Sequence, residues 1–449
     1  MTSYVPHTED DFARMLGDLG LSGVDDLFAC IPPALRLAGG LDLAPGLSEP
    51  DAAQEMARLA GENRAVSGLI CFAGGGAYDH DIPAVTRALA GRSEFVTSYT
   101  PYQPEVAQGV LQALFEYQTL VSRLAGLPVA NASVYDGATA TVEAVNLAVA
   151  ATGRTAVWVS AGLNPRWRES LGTLTAGKGV ELLDVPLVGG ETDWEAFAQA
   201  DEARAGGPPA ALVGACPNYL GCIDPLSRAR QVASQVRALL VAVFDPVAAG
   251  LLRTPGEQGA DVAVAEGQPM GTPMAFGGPY LGMFAVASEH VRRLPGRLVG
   301  RTKDGLGRTA YVTTLRAREQ DIRRERAASN ICTNETLIAV AAMVQLAWLG
   351  TQGLRELALR CARGGRYLRD ELMGVPGVEP FATAPVLYEF TLKLPLPPEV
   401  VVERMAEEGF LAGLPVEAGG QGGLLVAVTE KRTRAEIDAY VTAMEKVVS

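Results

Sequence analysis

Gly259–Gly282 reads GADVAVAEGQPMGTPMAFGGPYLG. Val262–Val264 is a short apolar run, Glu266-Gly267-Gln268 a polar turn, and Gly277-Gly278-Pro279 a second turn before the next run, Met283–Ala287. Apolar runs this short, bounded by glycine-rich turns, predict strands buried on both faces. The same alternation extends upstream from Arg154. Thr155–Val159 is a strand candidate, Pro165–Thr175 a helix, Val180–Val185 a strand, and Asp193–Arg204 a helix. Ala210–Gly214 and Leu239–Phe244 continue the series. The fold class is therefore α/β, a mostly parallel sheet with helices on both faces. Sites in such sheets gather beyond the carboxyl ends of the strands, which singles out Asn218, Asp245 and the turn at Glu266–Gln268. No GxGxxG leads from a strand into a helix and no GxxxxGKS/T occurs, which argues against dinucleotide and P-loop chemistry.

A second device lies N-terminal to this sheet, in FVTSYTPYQPEVAQGVLQALFEYQTLVSRLAGLPVANASVYDGATATVEAV, Phe95–Val145. Pro101 and Pro104 fix their own φ and hold Thr100 and Gln103 extended. Tyr99–Gln103 becomes a stiff strap presenting Tyr99 and Tyr102. Pro104 suits the first position of a helix and Glu105 its dipole. Val106, Val110, Leu114, Tyr117, Val121 and Leu124 then recur at helical spacing up to Gly126, a left-handed stop. Asn131–Asp136 is a polar loop, followed by an Asp136-Gly137 turn and a helix from Ala138. The N–H groups of Gly137, Ala138 and Thr139 suit an anion, although a plain turn between packed helices explains the same residues.

The 449 residues exceed what one core usually holds. A helical arm is expected over 1–62, with Thr8 and Ser48 capping helices. A large α/β domain should span 63–330 and a small α/β lobe 331–449. In that lobe Thr333 is the expected cap of a helix ended by Gly350. Helices are expected over 355–372, 400–408 and 434–447, with strands at 387–392 and 424–428. With 48% apolar residues and a net charge of −13, the chain reads as soluble, without nucleic acid or an anionic membrane as partner. No signal peptide is evident at the N-terminus. Six cysteines without a CxxC pair point to reduced thiols and a cytoplasmic setting.

The rare residues narrow the chemistry. The three histidines, His7, His80 and His290, show no metal-ligand spacing, and His80 is expected to be a solvated loop residue. The five lysines are Lys178, Lys303, Lys393, Lys431 and Lys446, and none follows the strand that ends near Glu266.

The order of a strand, Asp245, a further strand and a polar turn is similar to that of fold-type I pyridoxal-phosphate transferases of aspartate aminotransferase-like architecture. In those enzymes an Asp pairs with the pyridine nitrogen and a later Lys forms the Schiff base. Here Gln268 stands where that lysine belongs, and an amide cannot form the linkage.

More specific blocks carry a closer resemblance, over essentially the whole chain. They are Tyr99-Thr-Pro-Tyr-Gln-Pro-Glu105, Phe115-Glu-Tyr-Gln-Thr119, Asn131-Ala-Ser133, Phe276-Gly-Gly-Pro279 and Arg292-Arg-Leu-Pro-Gly-Arg297. Arg318-Glu-Gln-Asp-Ile-Arg-Arg324 and Ser329-Asn-Ile-Cys-Thr333 complete the set. With these the chain resembles the alpha subunits of two-subunit glycine decarboxylase, the P-protein family of the glycine cleavage system.

The resemblance implies a heterotetramer with a beta subunit that holds the pyridoxal phosphate, none being covalently bound to this chain. That complex decarboxylates glycine and transfers the aminomethyl group to the lipoyl arm of H-protein. Tyr99, Thr100, Tyr102, Gln103 and Glu105 become the first candidates for lining the partner's site in trans, with Gly74–Tyr78 and Asn131–Ser133 behind them. Asp245, Gln268, Gly137 and Thr139 become vestiges of a cofactor site. The arginines around 316 to 326, with Asn330, suit a carboxylate or interface ion pairs, the latter the more common use of such arginines. Two alternatives remain at this point: a silent scaffold of the same complex, and a stand-alone enzyme binding the cofactor without a covalent link.

Overall fold

The computed structural model describes residues 6–37, 39, 41–65, 68–97, 99–202, 207–315, 322–323, 327 and 329–449. The chain divides into two compact units, 1–64 and 65–449. In the first, Glu9–Asp18 is a helix opened by a capping box in which Thr8 and Asp11 bond reciprocally. Ser48 caps the Glu49–Gly61 helix through the N–H of Asp51. Neither helix contains a buried residue.

The second unit is organised by a seven-stranded sheet. In chain order its strands are β1 Val129–Ala130, β2 Ala156–Ser160, β3 Glu181–Val185, β4 Ala211–Cys216, β5 Leu239–Phe244, β6 Val262–Glu266 and β7 Gly282–Val286. Their spatial order is β1-β7-β6-β5-β4-β2-β3. The run from β3 to β6 is parallel, and β7 pairs antiparallel with both β6 and β1. Side chains of β6 alternate between two cores, as a strand covered on both faces must. Val262 and Val264 join the cluster containing Ala144 and Val145 of the Gly137–Thr152 helix. Ala263 and Ala265 join the one containing Leu111, Leu114 and Tyr117 of the Gln108–Ala125 helix. Leu114 is fully buried, so Leu114→Ala is expected to cost about 2–5 kcal/mol.

Three expectations need correction. The long helix begins at Gln108; Pro104–Val106 is a separate 3-10 turn ending at Ala107, whose φ of −120° is not helical. Val106 is consequently 81% exposed and lies off the buried stripe. Gly126 does end the helix, at φ 67°. The helix of the C-terminal region is capped at Glu335, not Thr333, and runs from Thr336 to Leu372 with a break at Gly350. It is the one described helix long and apolar enough to cross a membrane. Its Ala339, Ala342, Leu346, Leu354 and Ala358, however, are buried in the same core as the Gln108–Ala125 helix. The third correction concerns Leu226–Gln235, a helix absent from the sequence reading. Its Leu226, Ala229, Val232 and Ala233 cover the sheet beside β4 and β5.

The C-terminal region adds a four-stranded antiparallel sheet. Its strands are β8 Glu379–Pro380, β9 Glu389–Lys393, β10 Leu414–Ala418 and β11 Gln421–Ala427, in the order β8-β9-β11-β10. The Pro398–Glu407 and Arg434–Val448 helices share a core with it.

Candidate functional site

A half-open cleft lies where β4, β5 and β6 end. Asp245 follows the last residue of β5, and Glu266 is the last residue of β6. Glu389, the first residue of β9, enters from the C-terminal sheet. Two runs of sequence more than a hundred residues apart therefore form one wall.

Gln268 is 1% exposed. Its Nε2 donates to the carbonyls of Tyr78 (3.0 Å) and Thr272 (2.8 Å), and its Oε1 accepts from the N–H of Tyr78 at 2.9 Å. An amide both donates and accepts at one side-chain end, which an ammonium cannot do, so the residue at the lysine position clamps the loop after Gly74–Gly76. Asp245 is spent similarly. One oxygen accepts from the N–H groups of Val247 and Ala248, the other from the hydroxyl of Tyr388.

The Gly137 helix end is also occupied. Asp136 is its cap and accepts the Thr139 N–H at 2.6 Å. The Gly137 N–H donates to Glu266 at 2.9 Å, and the other Glu266 oxygen accepts from Gln268 (2.9 Å) and Leu281 (3.0 Å). A Cβ at Gly137 would fall 2.2 Å from the Trp167 ring, so no larger residue fits there. The chain's own carboxylate thus takes the place at the helix end where an anion would bind. Burial pushes Glu266 up to about 7 against these three N–H bonds. Glu389 accepts from the Gly75 N–H (2.6 Å) and the Tyr78 hydroxyl (3.0 Å), and burial pushes it up to about 8.

Pyridoxal phosphate does not fit these residues. No amine stands at the tether position, the Gly137 and Thr139 amides are taken, and the described lining residues carry three acids and no lysine or arginine.

The strap is built differently. Tyr99 and Tyr102 are 83% and 64% exposed, and Gln103 and Glu105 are exposed as well. Thr100 is half-buried, its carbonyl accepting the Tyr102 N–H at 2.8 Å. The Arg297 guanidinium lies 5.6 Å from the centre of the Tyr102 ring. Arg297 also donates to Thr333 and Asn334, so the strap meets the segment before the long C-terminal helix. Asn131 and Ser133 are fully buried. Asn131 donates to the Pro295 carbonyl and accepts the Ser133 N–H, while the Ser133 hydroxyl accepts from Glu335. Both are thus buried and bonded within the chain, not exposed as the strap residues are. Arg316, Arg318, Arg324 and Arg326 lie outside the described residues.

A profile described as the glycine cleavage system P-protein matches residues 2–444. The chain belongs to that family. It is 47% identical over 450 residues to a probable glycine dehydrogenase (decarboxylating) subunit 1 of Moorella thermoacetica, covering 100% of both chains. Similarity to the protein of the same description in Geobacillus kaustophilus is 44% over 444 residues, 98% of each chain. The crystal structure of a glycine decarboxylase (P-protein) in inhibitor-bound form superposes with a TM-score of 0.90 at 44% identity, covering 99% of this chain and 100% of that one. A sphingosine-1-phosphate lyase of Burkholderia pseudomallei shares the fold alone, with a TM-score of 0.61, 16% identity, and coverage of 93% and 94%. The architecture is that of fold-type I pyridoxal-phosphate enzymes, as the sequence led us to expect.

Within this P-protein fold the sequence missed Tyr388 and Glu389 as members of the cleft, and Tyr78, expected with Gly74–Gly76 at the partner's entrance, lines this chain's own cleft. No local signal marks the first two, because each faces a partner more than a hundred residues away. His80 needs correction too. It is buried, with Nδ1 2.6 Å from the Glu430 carboxylate, and is not a solvated loop residue. That pairing draws the loop after Gly76 against the end of β11.

Proposed function

We propose that this chain acts as the non-catalytic first subunit of a two-subunit glycine dehydrogenase (decarboxylating), completing in trans a site whose cofactor and lysine lie in the second subunit. The observation that carries the reading is Gln268, a buried amide locked by three internal bonds where an amine would be required. The chemistry then belongs to the partner: loss of glycine's carboxyl carbon as CO₂ and transfer of the aminomethyl group to the lipoyl arm of H-protein. The Tyr99–Glu105 strap supplies exposed hydroxyl, amide and carboxylate groups on a backbone stiffened by Pro101 and Pro104, which lowers the ordering cost of binding. Its placement beside Arg297 supports a role as a wall of the partner's entrance. Six free cysteines support a cytoplasmic complex.

The test is glycine–CO₂ exchange by the reconstituted two-subunit complex. The chain alone should show no exchange and no covalent pyridoxyl adduct after borohydride reduction. Paired replacement Tyr102→Phe with Glu105→Gln should lower exchange while leaving assembly intact. Unchanged exchange would instead favour a silent scaffold.

A further inference from the structure

Arg297 is 9% exposed, and the acceptors described around its guanidinium are all neutral. They are the Thr333 hydroxyl at 2.9 Å, the Asn334 side-chain oxygen at 3.0 Å and the Cys332 carbonyl at 3.4 Å. A cation buried this far ordinarily faces a carboxylate. Here it faces the Tyr102 ring, whose centre lies 5.6 Å from the guanidinium carbon, and a ring face stabilises a cation electrostatically.

A second observation shows which member of the pair is fixed. The Ala132 N–H donates to the Arg297 carbonyl at 2.8 Å. The Arg297 guanidinium reaches Asn334, and the Asn334 amide returns to the Ala132 carbonyl at 2.8 Å. That closes a circuit of hydrogen bonds among three buried residues. Gly296 leads the chain into it at φ 70°, a left-handed turn that suits glycine. Tyr102, by contrast, is exposed. Its strap is pinned downstream, where the Gln108 amide donates to the carbonyls of Pro104 (2.7 Å) and Tyr311 (2.8 Å). Upstream of that pin, the Tyr102 ring rests on the plane of a side chain that cannot turn.

We propose that Arg297 is the positioning residue of the strap, its fixed guanidinium setting the direction in which the Tyr102 hydroxyl faces the second subunit's site. A planar cation suits this task, since it offers the ring a flat face while forking its N–H groups to two oxygens. The consequence for catalysis rests on the trans-site reading; the hold on Tyr102 does not.

The hold is read by fluorine NMR of the full chain labelled with 3-fluorotyrosine, each signal being assigned by its loss in the matching Tyr→Phe variant. In Arg297→Gln the Tyr102 signal should move by more than its linewidth, with those of buried Tyr117 and Tyr440 in place. Arg297→Lys keeps the charge without the planar fork, and carries the test if melts show that Arg297→Gln does not fold. An unmoved Tyr102 signal in the folded variant overturns the inference. So does a shift shared by Tyr117 and Tyr440, the mark of general loosening. The consequence is read by glycine–CO₂ exchange in the two-subunit complex. Arg297→Gln should lower exchange about threefold alone and not further in Tyr102→Ala. Equal losses in both backgrounds, as a merely structural role would give, overturn the inference. Unchanged exchange in Tyr102→Ala, with the Tyr102 signal moved by Arg297→Gln, would instead remove the trans-site reading and leave the hold standing.

Discussion

The cleft and the strap lie in one compact unit and treat their polar groups in opposite ways. In the cleft, Gln268, Asp245, Glu266 and the Gly137 amide are bonded to other parts of the chain. In the strap, Tyr99, Tyr102, Gln103 and Glu105 stand in solvent on a proline-stiffened backbone. Burial explains the difference. A polar group removed from water must find a partner or cost about 1–3 kcal/mol, so the cleft's buried groups are bonded to one another and to the backbone. An exposed group meets no such demand and stays available for contact. The difference teaches that a cleft at the strand ends stays ordered when each of its buried polar groups has a protein partner.

The sharpest way to break this comparison is Gln268→Lys. The lysine cannot accept the Tyr78 N–H and buries an unpaired charge, so a loss of about 3–5 kcal/mol is expected, read from denaturant melts. Borohydride reduction with pyridoxal phosphate should leave no adduct, because Glu266 still holds the Gly137 amide. A stable variant that forms the adduct would show the cleft is not sealed.

Acidity gives the next largest effect. Glu389 ionises near 4.5 in an unfolded chain and at about 8 in the fold. Between those values the folded state binds the extra proton, so this group's contribution is greatest at low pH and declines as pH rises, levelling off above 8. The slope is about 1.4 kcal/mol per pH unit inside that window. Glu266, at about 7, acts in the same direction. Glu389→Gln should flatten the fall in stability between pH 5 and 8, measured by melts across pH; an unaltered slope would remove Glu389 from the account.

On the strap side, Tyr102→Ala should lower exchange in the two-subunit complex by about tenfold, roughly 1.4 kcal/mol of transition-state stabilisation. Melting of the isolated chain should move little. The smallest effect belongs to Tyr99→Ser. At 83% exposure it should shift the isolated chain's stability by no more than about 0.5 kcal/mol, and a larger shift would mean the strap is part of the core.

The elements were legible where their causes are local. Pro165–Thr175 is a helix over the expected residues, with Asn164 as its cap, and Leu239–Phe244 is a strand over the expected residues. The start at Gln108 was hidden because Pro104 is equally at home in a 3-10 turn. The Leu226–Gln235 helix went unseen because its apolar positions are few, four buried residues between polar ones.

The amino-acid order alone determined the sheet, its family and the missing amine at Gln268, since periodicity and residue identity are properties of neighbours along the chain. Tertiary structure alone decided what replaced that amine. Glu389 meets the loop at Gly75 across more than three hundred residues, and Glu266 meets Gly137 across more than one hundred. Such pairings arise only when folding closes the sheet ends and buried polar groups must satisfy one another.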